Sequence, residues 1–364
     1  MKCQCDRPSL QEALSAAASV TPTRTPKPIL QCVRLSVEKD GLTLTAYDQE
    51  VGLRYRVREV EVSSPGETLV PCDRLMAIIR ESTDETMALE IADGLLHIRG
   101  KDSHFQVVGQ NVREFPPVPD MEGKPDLLVK AGDLRDAVEK TLFAAAKEST
   151  RYAINGILWQ AAGKELRLVA TDGRRLAMSH APLAEPIEKD LEAIAPTKAL
   201  SAFSRLHVDA DEVMEVRITQ NQIIMRCDRA TISSVLVEGN FPKWEDVVPR
   251  DNDKSLMLET GEFLSAVRRA SLLSSVESKG IAMLLTDGML KLSSRSAERG
   301  EAEVHVKVDY KGEKLHIGFN PEFIVDALKV CEEKTTFELK DPARPGLIRS
   351  GKAFQYVVMP VNLS

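Results

Sequence analysis

Aromatic residues are scarce in this chain of 364 residues, at 5%. That disfavours a single-strand nucleic-acid binder, which stacks bases on Phe, Tyr and Trp platforms. No apolar run approaches the roughly 18 residues that a membrane-spanning helix needs, so no membrane partner is expected. The opening MKCQCDRPSL has no hydrophobic stretch behind Lys2, and no secretory leader is expected. Cysteine is sparse, with six residues scattered from Cys3 to Cys331; that distribution suits reduced, buried thiols and a cytoplasmic protein. Positive charge is in deficit: 48 Lys and Arg stand against 55 Asp and Glu, a net of −7. A general nucleic-acid coat protein is disfavoured, although a duplex responds to the local field and not to the sum.

Motifs of catalysis and metal binding are missing as well. The chain has no Gly-x-Gly-x-x-Gly, no Walker-type phosphate loop, no Gly-x-Ser-x-Gly, no His-Glu-x-x-His and no Cys-x-x-Cys. Its six histidines show no metal-ligand spacing, and no cofactor, metal or catalytic residue is expected. Cys3 and Cys5 fall on one face of an alternating strand and read as small hydrophobes. Asp172, in Thr171-Asp-Gly-Arg-Arg-Leu176, is the one carboxylate in a motif-like setting. It lacks a local acid or base partner and reads as a turn residue accepting backbone N–H groups ahead of Gly173. An enzyme, a scaffold and a locally basic binder all remain open at this point.

What is present is a repeat of about 125 residues. Amphipathic helices are predicted over Ser9–Ser19, Asp133–Ala146 and Glu262–Leu273, with Ser9 and Asp133 as N-caps. A second set follows over Pro71–Arg80, Pro196–Leu206 and Asn320–Val330. Between them the period falls to two, in Leu42–Asp48, Leu166–Asp172 and Leu290–Ser296, as half-buried strands require. Three α+β modules are expected, over 1–122, 123–251 and 252–364, each with two helices and about eight strands in antiparallel sheets. Over the helical stretches as predicted, with flanking residues, the net charge is +1, against −8 elsewhere. That split suggests one basic helical face, with Lys198 and Arg205 seven apart in one helix; an ordinary solvated surface is the alternative.

Five segments in order then carry a resemblance: Arg151-Tyr-Ala-Ile-Asn-Gly-Ile-Leu158, Leu168–Ala177, Asn240-Phe-Pro-Lys-Trp244 with Val247-Val-Pro249, Gly318-Phe-Asn320 and Tyr356-Val-Val-Met-Pro360. Together they resemble the bacterial DNA polymerase sliding clamps, the beta subunits of the polymerase III holoenzyme, from the first strand to the last five residues. The resemblance implies a non-enzymatic processivity factor: a head-to-tail homodimer ring of six modules around double-stranded DNA. Twelve lining helices at about 9–10 Å spacing would leave a hole roughly 26 Å across. Implied partners are the polymerase catalytic subunit, a clamp-loader ATPase and repair proteins that carry a clamp-binding motif.

The same resemblance, with the charge pattern, puts Arg24, Lys27, Arg80, Ser149, Arg151, Tyr152, Lys198 and Arg205 on the DNA side. It implies a peptide groove of Ile154, Thr171, Gly173, Arg174, Arg175, Leu176, Pro242, Val247, Asn320, Phe323, Val357, Val358, Met359, Pro360 and Val361. At ring closure Phe105 and Val107 should meet Leu272 and Leu273, with Arg74 and Lys101 facing Glu298, Glu301 and Glu303. Four departures bear on peptide preference and DNA contact. Arg174 stands where the family often has His, Asp246 replaces a commonly basic residue, Ser278 stands where a larger residue can cover the groove, and Ala153 follows Tyr152.

Overall fold

The computed structural model describes residues 1–148, 153–274 and 280–363. Among them are six α-helices and 25 strands. The first repeat runs β1 (Lys2–Asp6), α1 (Arg7–Val20), β2 (Cys32–Glu38), β3 (Gly41–Tyr47), β4 (Val51–Val57), β5 (Val60–Ser64), β6 (Gly66–Pro71), α2 (Cys72–Glu81), β7 (Thr86–Ala92), β8 (Leu95–Arg99) and β9 (His104–Val108). The second runs β10 (Leu127–Lys130), α3 (Ala131–Leu142), β11 (Gly156–Ala162), β12 (Glu165–Thr171), β13 (Arg175–Pro182), β14 (Leu191–Pro196), α4 (Thr197–Ser204), β15 (Val213–Ile218), β16 (Gln222–Arg226) and β17 (Ala230–Val235). The third runs β18 (Lys254–Glu259), α5 (Thr260–Ser271), β19 (Ile281–Thr286), β20 (Met289–Ser296), β21 (Gly300–Lys307), β22 (Leu315–Phe319), α6 (Pro321–Leu328), β23 (Lys334–Leu339), β24 (Gly346–Ser350) and β25 (Phe354–Val358). The α+β repeat of two helices and eight or nine strands is the one the periodicity predicts.

The chain packs into two compact units, and the division cuts through the second repeat. Unit 1 holds a five-stranded sheet, β5-β1-β7-β8-β9, and an eight-stranded sheet, β10-β15-β16-β17-β4-β3-β2-β6. Unit 2 holds β14-β11-β12-β13-β25-β24-β23-β18 and the four-stranded β21-β20-β19-β22. Each eight-stranded sheet takes strands from two repeats. In unit 1, β17 pairs antiparallel with β4, Thr231 facing Arg54; in unit 2, β13 pairs antiparallel with β25, Met178 facing Gln355. Neighbouring repeats therefore share a continuous ladder that satisfies what would otherwise be two open edges.

The first helix of each repeat begins two residues before its predicted start, at Arg7, Ala131 and Thr260. Asp6, not Ser9, caps α1: its Oδ2 accepts from the Ser9 N–H at 2.8 Å. Leu10, Ala13, Leu14 and Ala17 then form the buried stripe, each leucine contributing about 2 kcal/mol of apolar burial. The stripe packs on α2, β3 and β4. The helix stops at Thr21, whose N–H bonds the Ala17 carbonyl, and Pro22 follows. Asp133 lies in the first turn of α3 and is not its cap, since the helix begins at Ala131. With the observed bounds the six helices carry a net charge of −1, so the basic-helix partition disappears. The cations that produced it, Lys147, Arg205 and Lys329 among them, lie beyond the helix ends. Two-residue punctuation is sharper: Asp93-Gly94 joins β7 to β8 with both φ positive, 52° and 76°, the geometry a tight hairpin needs.

Candidate functional site

Within unit 2 the β12–β13 turn, the 240–247 segment and the end of β25 surround a cavity of about 200 Å³. The turn is built as its sequence dictates. Asp172 Oδ1 accepts from the N–H groups of Arg174 at 2.9 Å and Arg175 at 3.1 Å, and Gly173 takes φ 86°. The Thr171 hydroxyl donates to the Arg175 carbonyl at 2.6 Å. β25 is hydrogen-bonded alongside, Leu176 facing Val357, and the Met359 N–H reaches the Arg174 carbonyl at 2.9 Å. Leu176, Val357 and Ile154 are buried, while Val247 and Met359 remain 42% and 38% exposed. The lining is almost wholly apolar, with Arg174 at the rim.

Arg175 locks this wall from behind. Its side chain is 11% exposed; Nε donates to Asp172 Oδ2 at 3.0 Å, Nη1 to Asp326 Oδ2 at 3.0 Å and Nη2 to the Phe143 carbonyl at 2.7 Å. The guanidinium lies 4.5 Å from the Phe323 ring centroid and 5.6 Å from that of Phe143. Tyr356 donates its hydroxyl to the Phe323 carbonyl at 2.9 Å, and burial pushes that hydroxyl well above its ordinary range. Such a site can hold an apolar side chain against a fixed floor; Asp172 is committed to the turn and to Arg175.

Of the fifteen residues expected in the groove, the cavity brings together Ile154, Thr171, Gly173, Arg174, Arg175, Leu176, Pro242, Val247, Val357 and Met359. Asn320, Phe323, Val358, Pro360 and Val361 are not in its lining. Asn320 instead caps α6, accepting from the Glu322 N–H, and Phe323 stacks on Arg175. The Val361 N–H bonds the Gly318 carbonyl at 2.8 Å, holding the tail on β22. Trp244 lines the cavity although the sequence pattern marks it only as part of a motif. It is 7% exposed, its Nε1 donates to Gln160 at 3.3 Å, and Arg167 lies over its ring. A larger recess of about 490 Å³ in unit 1, beneath residues 21–29, has a more mixed lining that includes Cys32, Cys72 and Arg74.

Of the expected DNA-side residues, five are described. Arg24 and Lys27 are exposed between α1 and β2; Arg80, in the last turn of α2, pairs with Glu81 at 3.2 Å. Ser149, Arg151 and Tyr152 lie outside the described residues, as does Ser278. Lys198 corrects the expectation of a charge on an open helix face: its ammonium is paired with Asp48, whose carboxylate also accepts from the N–H groups of Glu50 and Val51. Arg205 follows the last residue of α4 as an exposed cap. Of the closure residues, Val107 shares a face of β9 with Phe105 but is buried within the single chain, 6% exposed against 39% for Phe105. Leu272 is 73% exposed and Leu273 half-buried. Arg74, Lys101, Glu298, Glu301 and Glu303 are exposed, with Glu301 paired to Arg295 and Glu303 to Lys291. Among the described residues no group of three His, Cys, Asp or Glu side chains could hold a metal ion, and no helix is long and apolar enough to cross a membrane.

Three family models match in succession: the N-terminal domain of the DNA polymerase III beta subunit over residues 1–119, the central domain over 128–243 and the C-terminal domain over 245–362. The chain is 33% identical to the beta sliding clamp of Pseudomonas aeruginosa, covering 98% of both chains, and 29% identical to that of Escherichia coli K12, covering all of both. The crystal structure of the P. aeruginosa sliding clamp bound to griselimycin superposes with a TM-score of 0.93 at 33% identity, covering all of both chains. The Bacillus subtilis DNA polymerase sliding clamp does so with 0.92 at 26%, again over all of both chains. A triplicated α+β chain with ladders shared between repeats, similar over its whole length to these proteins, belongs to the DNA polymerase III beta subunits, the beta sliding clamps.

Proposed function

We propose that two copies of this chain close head to tail into a ring that encircles duplex DNA without sequence preference, and that the unit 2 cavity takes an apolar anchor from a peptide of the polymerase, loader or repair partner. The chain then acts in the cytoplasm as a non-catalytic tether, and a separate ATP-driven loader opens the ring.

One observation carries the ring. In both internal junctions the fourth strand of a repeat pairs with the last strand of the next: β4 with β17, and β13 with β25. That rule leaves over the fourth strand of the third repeat, β21, and the last strand of the first, β9. Both are terminal strands of their sheets. A second copy supplies to each the neighbour the pattern lacks, which hides two open edges. The groove reading rests on the apolar cavity, since a few anchored side chains provide most of the energy of such contacts.

A topology assay tests the ring. Protein loaded onto nicked circular DNA is expected to stay bound in high salt and to leave within minutes once the circle is cut. Equal retention on cut and uncut DNA rejects encirclement.

A further inference from the structure

The repeat fixes more than which edges meet; it fixes their register. The third residues of β7, β15 and β23 are Ala88, Glu215 and Thr336, and they face Arg99, Arg226 and Arg349 on the next strand. Those arginines in turn face His104, Thr231 and Gln355 on the last strand of each repeat. Likewise the fifth residues of β3, β12 and β20 are Thr45, Val169 and Ser293, which face Arg54, Met178 and Glu303 on the fourth strand. Both internal junctions obey one rule: Thr231 stands opposite Arg54 and Gln355 opposite Met178. The corresponding pair at the third junction is His104 and Glu303.

From this register we propose that, in the closed ring, His104 of each protomer stands opposite the partner subunit's Glu303, and that this pair makes closure proton-dependent. The inference rests on the ring reading above and adds a titratable contact to it.

The geometry around His104 suits one added proton. Its Nε2 lies 3.0 Å from Nδ1 of His97, with ring centroids 5.2 Å apart and planes 17° from parallel. A centroid gap of about one N···N contact plus two ring radii means the rings lie end to end in nearly one plane, not face to face. They share one N–H···N bond, and His97 is only 9% exposed. A protonated His104 can keep donating Nε2–H to neutral His97 while Nδ1–H turns outward to a carboxylate, a charge-assisted bond.

The surrounding charges set the sign. On the same sheet, burial, Arg99 and His97 hold His104 below the ordinary imidazole range, while Glu90, opposite His97, is taken by Lys2. On the facing strand, a hydrogen bond from Lys291 holds Glu303 below the ordinary carboxylate range; His305 also touches it, and the neighbouring Glu301 is paired with Arg295. In separate chains near neutral pH, His104 is therefore neutral and Glu303 ionised. Closure brings the carboxylate to the imidazole and raises it. A group raised on association adds affinity that is fully present below its free value and is lost as pH rises through the bound value. Dimer affinity should thus fall as pH rises between about 5.5 and 8.

The test is sedimentation equilibrium of the full chain from pH 5.5 to 8.5 at constant ionic strength. The dissociation constant is expected to rise about a hundredfold over that range, the effect of one unit of differential shift at each of the ring's two His104–Glu303 pairs. His104→Arg should be tight and pH-flat, and His104→Gln and Glu303→Gln weak and pH-flat, with the two neutral changes together costing no more than either alone. His305→Gln should keep the slope. A dimer whose constant is flat with pH, or a slope that survives His104→Gln and disappears in His305→Gln, overturns the His104–Glu303 pair while leaving the ring standing. A chain that stays monomeric at every pH overturns both.

Discussion

At the scale of single residues, the site divides into side chains legible from their neighbours in sequence and side chains legible only from their neighbours in space. Thr171–Leu176 belongs to the first class, because an Asx turn ahead of a glycine is a local arrangement and Asp172 makes it with its own i+2 and i+3 N–H groups. Trp244 and Arg175 belong to the second. Nothing within ten positions of Arg175 foretells Asp326, 151 residues away, or the Phe143 carbonyl. Lys198 shows the same limit from the other side: as a lysine on a short helix it reads as a surface cation, and only the fold brings Asp48 to it. The buried cluster yields a prediction. Arg175→Met removes the cation shared by the Asp172 and Asp326 carboxylates and leaves Asp326 with Lys329 alone. Because both carboxylates are partly exposed, the cost falls below that of breaking a fully buried pair, at about 1–2 kcal/mol. Urea unfolding followed by circular dichroism should show the midpoint fall with an unchanged slope; a midpoint within error of the parent chain would mean that the network is not a stabilising one.

Elements were more legible than their ends. Periodicities of 3.6 and 2 mark all six helices and the three central strands, since each must bury one face. The ends were misplaced because capping depends on which carboxylate reaches which N–H: Asp6 rather than Ser9 caps α1. Residues beyond C-terminal helix ends, Lys147, Arg205 and Lys329, also account for the apparent positive charge of the helices. The last strand and the tail beyond it show how this matters for function. The cavity is walled by Val357 and Met359, whereas beyond Met359 the tail turns to β22, where Leu363 lies so close to Gly318 that a Cβ there would meet its Cδ2 at 2.5 Å. Residues 360–363 are thus a strap on the third repeat and do not line the cavity. Deleting residues 360–364 is expected to lower stability by about 1–2 kcal/mol, for one hydrogen bond and the contact of the exposed Leu363 with Gly318. It should weaken a labelled polymerase C-terminal peptide by less than about tenfold, while Leu176→Asp, which puts a charge on the floor, should abolish binding. Fluorescence anisotropy compares the two directly. If truncation alone abolishes binding, the tail residues contact the peptide themselves.

For the whole molecule, the triplication could be read from spacing alone, but the junctions could not, because strand pairing between repeats joins residues such as Thr231 and Arg54 that no local pattern links. Those junctions change what DNA retention should depend on. With the helices carrying a net −1, a ring of this chain cannot hold a duplex by uniformly basic walls, and the exposed cations between elements become the candidates: Arg24 and Lys27 after α1, and Arg205 after α4. Lys198 is a poor probe, since Lys198→Glu would set a carboxylate against buried Asp48 and destabilise unit 1. Arg24→Gln, Lys27→Gln and Arg205→Gln combined remove charge at exposed positions and should leave the melting temperature within about a degree or two. Every cation taken away from a phosphate lowers the slope of log K against log salt by about 0.9 on B-DNA. Lifetimes on a closed circle, measured from 50 to 300 mM salt, should shorten in the triple variant chiefly at low salt and converge with the parent chain at high salt, where the topological link alone retains both. Because phosphate contacts carry no base information, the loss should be the same on circles of different sequence. A triple variant whose low-salt lifetime matches the parent chain would show that these loops do not touch the duplex.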